Sequence, residues 1–170
     1  AKKNQGVFVL RLEDTDQKRH VPEAEEAIYS ALKWLNINPD ESPVKGGSFG
    51  PYRQSERLSR YRETADALVK SGSAYEKDGA IWLKMLPDIV FEWEDAVRGK
   101  ISFDSNQLKD WVILKSDSNP TYNFANVIDD LDMKISHVIR GEEHISNTPL
   151  QLSAYQALGQ ARQKAGAFCL

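Results

Sequence analysis

A chain of 170 residues, 41 % apolar and 28 % charged, is long enough to bury a core and too hydrophobic for a disordered chain. Its formal net charge of −3 gives no global attraction for nucleic acid, so any such contact must come from a local basic patch. The lone cysteine, Cys169, excludes an intrachain disulfide and a cysteine-based zinc site, and no apolar run reaches the length of a membrane span; with no signal-peptide pattern visible, a reducing, cytoplasmic setting is expected, with an organelle as the alternative.

In chain order, Ala1 to Gly6 reads as the end of a helix closing on a glycine, which suggests a start cut from something longer. Val7 to Leu12 is short and nearly continuously apolar, and is expected to be a buried strand. After an acidic turn, Pro22 opens a helix with Glu23, Glu25 and Glu26 in its first turn; Ala24, Ala27, Ile28, Ala31, Leu32 and Leu35 fall on one face. Strand, turn and helix begin an α/β unit. Asn38 to Pro51 is a loop by its prolines and glycines. Ser55 is expected to cap a second helix that turns Leu58, Tyr61, Ala65, Leu68 and Val69 inward and ends at Gly72. The texture then becomes β-rich over roughly residues 73 to 116. Asp78-Gly79 reads as a hairpin turn; Ile89, Phe91 and Trp93 alternate with polar neighbours as in a half-buried strand. A turn at Val97 to Lys100 precedes Ile101 to Phe103, and Trp111 to Leu114 is a further strand. After Asn119-Pro120 the α/β texture returns. His137 to Arg140 is a strand, Thr148-Pro149 starts a helix, and Gly159 ends it; Gln160 to Leu170 shows no pattern.

Four constellations could carry chemistry. In Arg11-Leu12-Glu13-Asp14-Thr15-Asp16, strand alternation puts Arg11 and Glu13 on one side and Asp14 on the other. The cluster follows the carboxyl end of a strand, where open α/β sheets bind ligands, and its carboxylates repel one another unless a cation or donors sit among them; a helix cap with an exposed acidic turn explains it equally well. Tyr122 and Asn126 are four apart and share a face if helical, offering a hydroxyl and an amide, or Tyr122 and Phe124 simply pack into the core. Arg140 beside Gly141 can present a rigid fork to a carboxylate or phosphate, or pair with Glu142 or Glu143, while His144 alone says little. Arg53, Arg57 and Arg60 make a basic stripe if they lie on one helix, or a solvated face broken by Glu56 and Glu63. No P-loop, nucleophile elbow, dinucleotide fingerprint or metal-ligand spacing is present.

Four blocks, Leu10 to Asp16, Gly50 to Arg57, Pro120 to Asp130 and His137 to Pro149, resemble, in the same order, those of bacterial-type glutamyl-tRNA synthetases. The likeness runs to about Gly159. The resemblance implies an α/β class I Rossmann-type parallel sheet interrupted by a β-rich α+β acceptor-stem-binding insert: first Rossmann segment 1–56, shortened insert 57–118, second Rossmann segment 119–170. It implies ligation of glutamate to tRNA(Glu) through a glutamyl-adenylate, with L-glutamate, Mg²⁺-bound ATP and tRNA(Glu) as partners, no covalent enzyme nucleophile, no zinc, no membrane and a monomer.

By position, Glu13 is implied to bind the α-ammonium of glutamate and Arg140 its side-chain carboxylate, with Tyr122 and Asn126 completing the pocket. Glu143 and His144 line the amino-acid and ATP pocket. Asp16 and Arg19, with Arg53, Arg57 and Arg60, are the candidates toward tRNA. A tRNA-modifying paralogue that attaches glutamate to queuosine, and a non-catalytic acceptor-stem-binding module, are the alternatives. The family's N-terminal ATP signature is expected before Ala1, its phosphate-clamping lysine loop after Leu170, so this piece alone is expected to be inactive. Between Tyr75 and Ile81 only Glu76 to Ala80 stands where many members carry a longer segment.

Overall fold

The structure, a computed structural model, describes residues 1–15, 22–159 and 166–169, with the backbone alone for Pro22 and for 166–169. The chain divides into two compact units, Ala1–Leu58 and Ser59–Leu170.

The first unit opens with a 3₁₀ turn, Lys2–Asn4, in which Gln5 rather than Gly6 takes the left-handed conformation at φ 55°. The expected strand at Val7 to Leu12 is present only as extended chain. Single parallel bridges join Val9 to Glu41 and Leu12 to Arg53, Phe8 to Leu12 are half-buried, and Val7 is exposed. The reason is visible in its partners: it pairs not with another strand but with two short stretches, one within the 38–51 loop and one just after it, Leu10 N donating to the Glu41 carbonyl and Leu12 N to that of Tyr52. Helix α1, Pro22–Trp34, starts where proline and the acidic first turn place it. Its apolar face, however, stays open: Ala24, Ala27 and Ala31 are exposed, as are Ile28 and Leu35.

That loop is held from inside. The Tyr52 hydroxyl donates to Glu41 in a short, buried hydrogen bond, and Phe49 N donates to the same hydroxyl at 3.0 Å. Gly47 crosses directly above, at φ 150°, where a Cβ would overlap both groups. The Tyr52 hydrogen bond, helped by the Ser48 and Phe49 amides, holds the Glu41 carboxyl below its ordinary value against the opposing effect of burial. Burial first, then Glu41, pushes the Tyr52 phenol up.

The second unit contains the larger core. Helix α2, Leu58–Lys70, turns Tyr61, Thr64, Ala65 and Leu68 inward; Gly72 follows at φ 80°. Ser55 does not cap it: a 3₁₀ turn, Gln54–Arg57, leads in from Arg53. Strands β1 (Ala74–Lys77) and β2 (Ala80–Leu83) form the expected hairpin, with Asp78 and Gly79 both at positive φ, as a two-residue turn of matching twist requires. Strand β2 also pairs with β5 (Trp111–Leu114), giving an antiparallel sheet in the order β1-β2-β5. Between them, β3 (Val90–Asp95) and β4 (Gly99–Asp104) make a second hairpin, its turn closed by the Asp95 carboxylate accepting from Val97 N and Arg98 N, each at 2.9 Å.

Helix α3 (Tyr122–Asp132), strand β6 (His137–Arg140), helix α4 (Asn147–Ala157) and strand β7 (Gly166–Cys169) complete the described chain. β7 lies in the stretch that shows no pattern in sequence, and runs parallel to β6. The core gathers Tyr61, Ala65 and Leu68 of α2, Ile81, Leu83, Ile113 and Leu114 of the sheet, Phe124, Val127 and Ile128 of α3, and Ala154 of α4. A smaller cluster seats Phe91 and Trp93 of β3 against Leu152 of α4. Inside the main core, Tyr61 and Asp129 are both fully buried, and the phenol lies 2.9 Å from each carboxylate oxygen. Helices and strands with parallel pairing at β6–β7 are the expected α/β class; among the described residues no helix is long and apolar enough to cross a membrane.

Candidate active site

In the first unit, parallel pairing on both sides of Leu12 fixes the chain that carries Glu13 and Asp14, since Gln54 N donates back to the Leu12 carbonyl at 3.0 Å. Asp14 turns away from Glu13, as alternation requires. It accepts from Ser55 N at 2.9 Å and Ser55 Oγ at 2.6 Å, so a distant carboxylate caps the first turn of Gln54–Arg57. Glu13 stays at the surface, 3.2 Å from the more buried Arg11, with 38 % of its side chain exposed against 14 %. A pair this open to solvent on the Glu13 side holds little energy.

The arginine stripe is not formed. Arg53 sits in extended chain and makes a two-pronged ion pair with Glu25, at 2.8 and 2.6 Å; that carboxylate raises the guanidinium further. Arg57 lies in the 3₁₀ turn with its side chain buried, donating to the Pro51 carbonyl at 3.4 Å. Arg60 alone lies on α2 and is exposed, fastened to Asp132 at 3.0 and 2.9 Å. A spacing of four and three makes a stripe only when all three residues are helical, and the helix starts too late.

In the second unit the site grows from the end of β6. Arg140 is the last residue of that strand, Gly141 follows, and a 3₁₀ turn, Glu142–His144, leads into α4. Thr148 and Gln151, three apart on α4, face the arginine together. Arg140 donates to Gln151 Oε1 at 2.9 Å and, in a shorter contact, to Thr148 Oγ1. The guanidinium is thus aimed by neutral oxygens beside the first turn of a helix, where the helix dipole disfavours a cation and favours an anion. Gln151 in turn donates to Asn123 Oδ1 at 3.1 Å, Asn123 reaches Asn147 at 3.5 Å, and Asn147 meets His144 Nδ1 at 3.0 Å.

Tyr122, at the start of α3, is 45 % exposed and stacks on His144 with ring centres 6.0 Å apart. The core therefore takes Phe124 and leaves Tyr122 out. Asn126, one turn later, is buried. The Glu143 carboxylate folds over Gly141, so a Cβ there would overlap it, and it lies 3.9 Å from His144 Nε2. Glu142 is ion-paired with Arg98 in the β3–β4 turn.

The sequence-derived candidates Arg140, His144, Glu143 and Tyr122 are thus neighbours in one unit, Glu13 belongs to the other, and Asp16 and Arg19 lie outside the described residues. Sequence reasoning missed Asn123, Asn147, Thr148 and Gln151 as site residues. The i, i+3 spacing of Thr148 and Gln151 on a helix following Arg140 was the available signal; the two asparagines gave none.

Residues 1–81 and 76–168 match the family of class I tRNA synthetases (E and Q), catalytic domain, and the chain belongs to that family. Its two matched segments overlap at residues 76–81, in the β1–β2 hairpin. Within the family the likeness is to glutamate–tRNA ligases. The enzyme of Mycoplasmopsis agalactiae is 49 % identical over 203 residues, covering 94 % of this chain and 44 % of that protein. That of Acholeplasma laidlawii is 46 % identical over 165 residues, covering 94 % and 37 %. A crystal structure of a glutamate tRNA ligase from Elizabethkingia meningosepticum, in complex with its amino acid, matches with a TM-score of 0.90 at 36 % identity, over 99 % of this chain and 43 % of that one. The chain spans less than half the length of these relatives.

Proposed function

We propose that this catalytic domain works within a glutamate–tRNA ligase. The observation that carries the reading is Arg140, aimed by Thr148 and Gln151 at the end of β6 beside the first turn of α4. A fork so placed suits a carboxylate, and the charge separates glutamate from glutamine: a neutral amide leaves the guanidinium without its anion, at a cost of several kcal/mol when the pair is desolvated.

In this reading Arg140 binds the side-chain carboxylate of glutamate, and Glu13 its α-ammonium. Tyr122 and Asn126 shape the pocket, and Glu143 and His144 line it toward the nucleotide. The α-carboxylate attacks the α-phosphate of ATP, which enters with its Mg²⁺ as substrate; pyrophosphate leaves and glutamyl-adenylate remains. A hydroxyl of the terminal tRNA ribose then attacks the activated carbonyl, and AMP leaves. The domain's part is orientation and stabilisation of charge, without a covalent intermediate on a side chain. Segments 1–56 and 119–170 would form the Rossmann-type body and 57–118 the acceptor-side insert. Asp16, Arg19, Arg53, Arg57 and Arg60 would be the candidates toward tRNA, of which Arg60, though paired with Asp132, is the most exposed described one and Arg57 is buried. The enzyme is read as a cytoplasmic monomer.

The test is ATP–pyrophosphate exchange by the full-length protein with tRNA(Glu) present. Glutamate should support exchange and glutamine should not. Arg140→Gln should raise the KM for glutamate by about a hundredfold or more and leave that for ATP within a few-fold. No exchange by the unaltered protein, or equal loss for both substrates, overturns the assignment.

A further inference from the structure

Arg140 and His144 stand at the two ends of one unbroken chain of side-chain hydrogen bonds: Arg140, Gln151, Asn123, Asn147, His144. Its direction is fixed by chemistry at one end. A guanidinium only donates, so the Gln151 atom that meets it must be the oxygen. The Gln151 nitrogen must then be the atom that donates to Asn123, which presents its oxygen. The Asn123 nitrogen is left for Asn147, which presents its oxygen in turn. The Asn147 nitrogen is left for His144, and an amide nitrogen only donates. His144 Nδ1 must therefore accept, and the neutral ring carries its proton on Nε2.

We propose that Gln151, Asn123 and Asn147 are positioning residues that transmit the polarity of Arg140 to His144, holding it in the Nε2–H tautomer so that it offers one neutral donor beside Tyr122 and Glu143. The claim deepens the proposed function, on which it rests for what the donor meets: an oxygen of the amino acid or of the nucleotide. Three observations support a built device. The links run at 2.9, 3.1, 3.5 and 3.0 Å from Arg140 to His144. The chain joins β6, α3 and α4, so no single helix supplies it as a by-product of its own geometry. And His144 is packed from a second side by the Tyr122 ring, while turning the imidazole over would put a carbon in place of Nδ1 and lose the Asn147 hydrogen bond. The groups facing the ring are Tyr122 from α3, Asn147 from α4 and Glu143 from its own turn, whose carboxylate at 3.9 Å from Nε2 suits an N–H there.

The experiment reads the tautomer directly and without substrate, so it stands apart from the exchange assay: either can fail alone. The full-length protein is labelled with ¹⁵N-histidine and His144 is assigned through His144→Gln. At about pH 8.5, where an ordinary imidazole is neutral, proton–nitrogen correlation spectra should show the proton on Nε2. In Gln151→Glu the carboxylate still accepts from Arg140 but can no longer donate to Asn123. Both asparagines must turn over, and the proton should move to Nδ1, although the altered side chain hydrogen-bonds to neither the ring nor the Asn147 side chain. Asn147→Asp should force the same change from next door. A proton on Nδ1 in the unaltered protein overturns the proposal. So does a ring that keeps Nε2–H in Gln151→Glu while Asn147→Asp shifts it, because the asparagine would then act locally and not as part of a chain.

Discussion

Gly141 separates what a residue's backbone needs from what its neighbour needs. Its φ of −64° is open to any amino acid, yet an added Cβ would overlap the Glu143 carboxylate. The carboxylate is the end of a flexible side chain and can swing away. Gly141→Ala should therefore leave thermal melting within about 2 °C of the parent while displacing Glu143. If Glu143 lines the nucleotide pocket, the KM for ATP should rise roughly fivefold, the equivalent of one lost hydrogen bond of about 1 kcal/mol; an unchanged KM would remove Glu143 from that pocket. At this scale the sequence was readable where one residue type has one talent. Asp78-Gly79 announced a turn, and both residues take positive φ between β1 and β2. Asn123, Asn147 and Gln151 each pass for a cap or a surface amide, and only the packing of α3 on α4 shows that they touch.

Helix and strand content was legible where burial follows period: the strands of the sheet β1-β2-β5 and Tyr61, Ala65 and Leu68 of α2 match the apolar spacing, while Leu58, expected on that face, is exposed in the first turn. The arginine stripe failed because spacing was read as helical five residues before the helix begins; Leu58 starts α2, and Arg53 is still extended. Two polar contacts between segments now lend themselves to measurement. Tyr61 joins α2 to Asp129 of α3 in a fully buried setting, so Tyr61→Phe should lower stability by about 1–3 kcal/mol in urea unfolding, with an unchanged dependence on denaturant. The Glu41–Tyr52 contact instead has a pH signature. The Glu41 carboxyl is held below its ordinary 4.5, so its contribution is present above pH 4.5 and fades as pH falls through the lower folded value. The Tyr52 phenol is raised above 10.0, so its contribution is present below that value and fades as pH rises past the folded one. Tyr52→Phe should thus melt earlier than the parent at neutral pH, and the two curves should converge in acid. A gap that stays constant down to pH 2 would assign the effect to packing alone.

Across the whole molecule the two units differ in how their helices are held, and that difference was the part of the fold least visible in sequence. The apolar face of α1 and that of α2 look equally well formed as letters, because a periodic stripe says which side seeks burial and not whether anything covers it. In the structure α2 and α3 enclose Tyr61, Ala65, Phe124 and Ala125 with no exposed surface, whereas α1 leaves Ala24, Ala27, Ala31 and Ile28 in contact with solvent and ends on Trp34 at 84 % exposure. Burial of apolar side chains is what makes opening of a helix costly, so exchange of backbone amides should record the contrast. In the 170-residue chain, amides at Val127 and Ile128 of α3 should exchange on the order of a hundredfold more slowly than those at Ile28 and Ala31 of α1. Hydrogen–deuterium exchange read by mass spectrometry resolves the two helices as separate peptides. Equal protection that disappears on dilution would mean that a second copy covers α1; equal protection that survives dilution would mean that the burial seen here does not govern the opening of these helices.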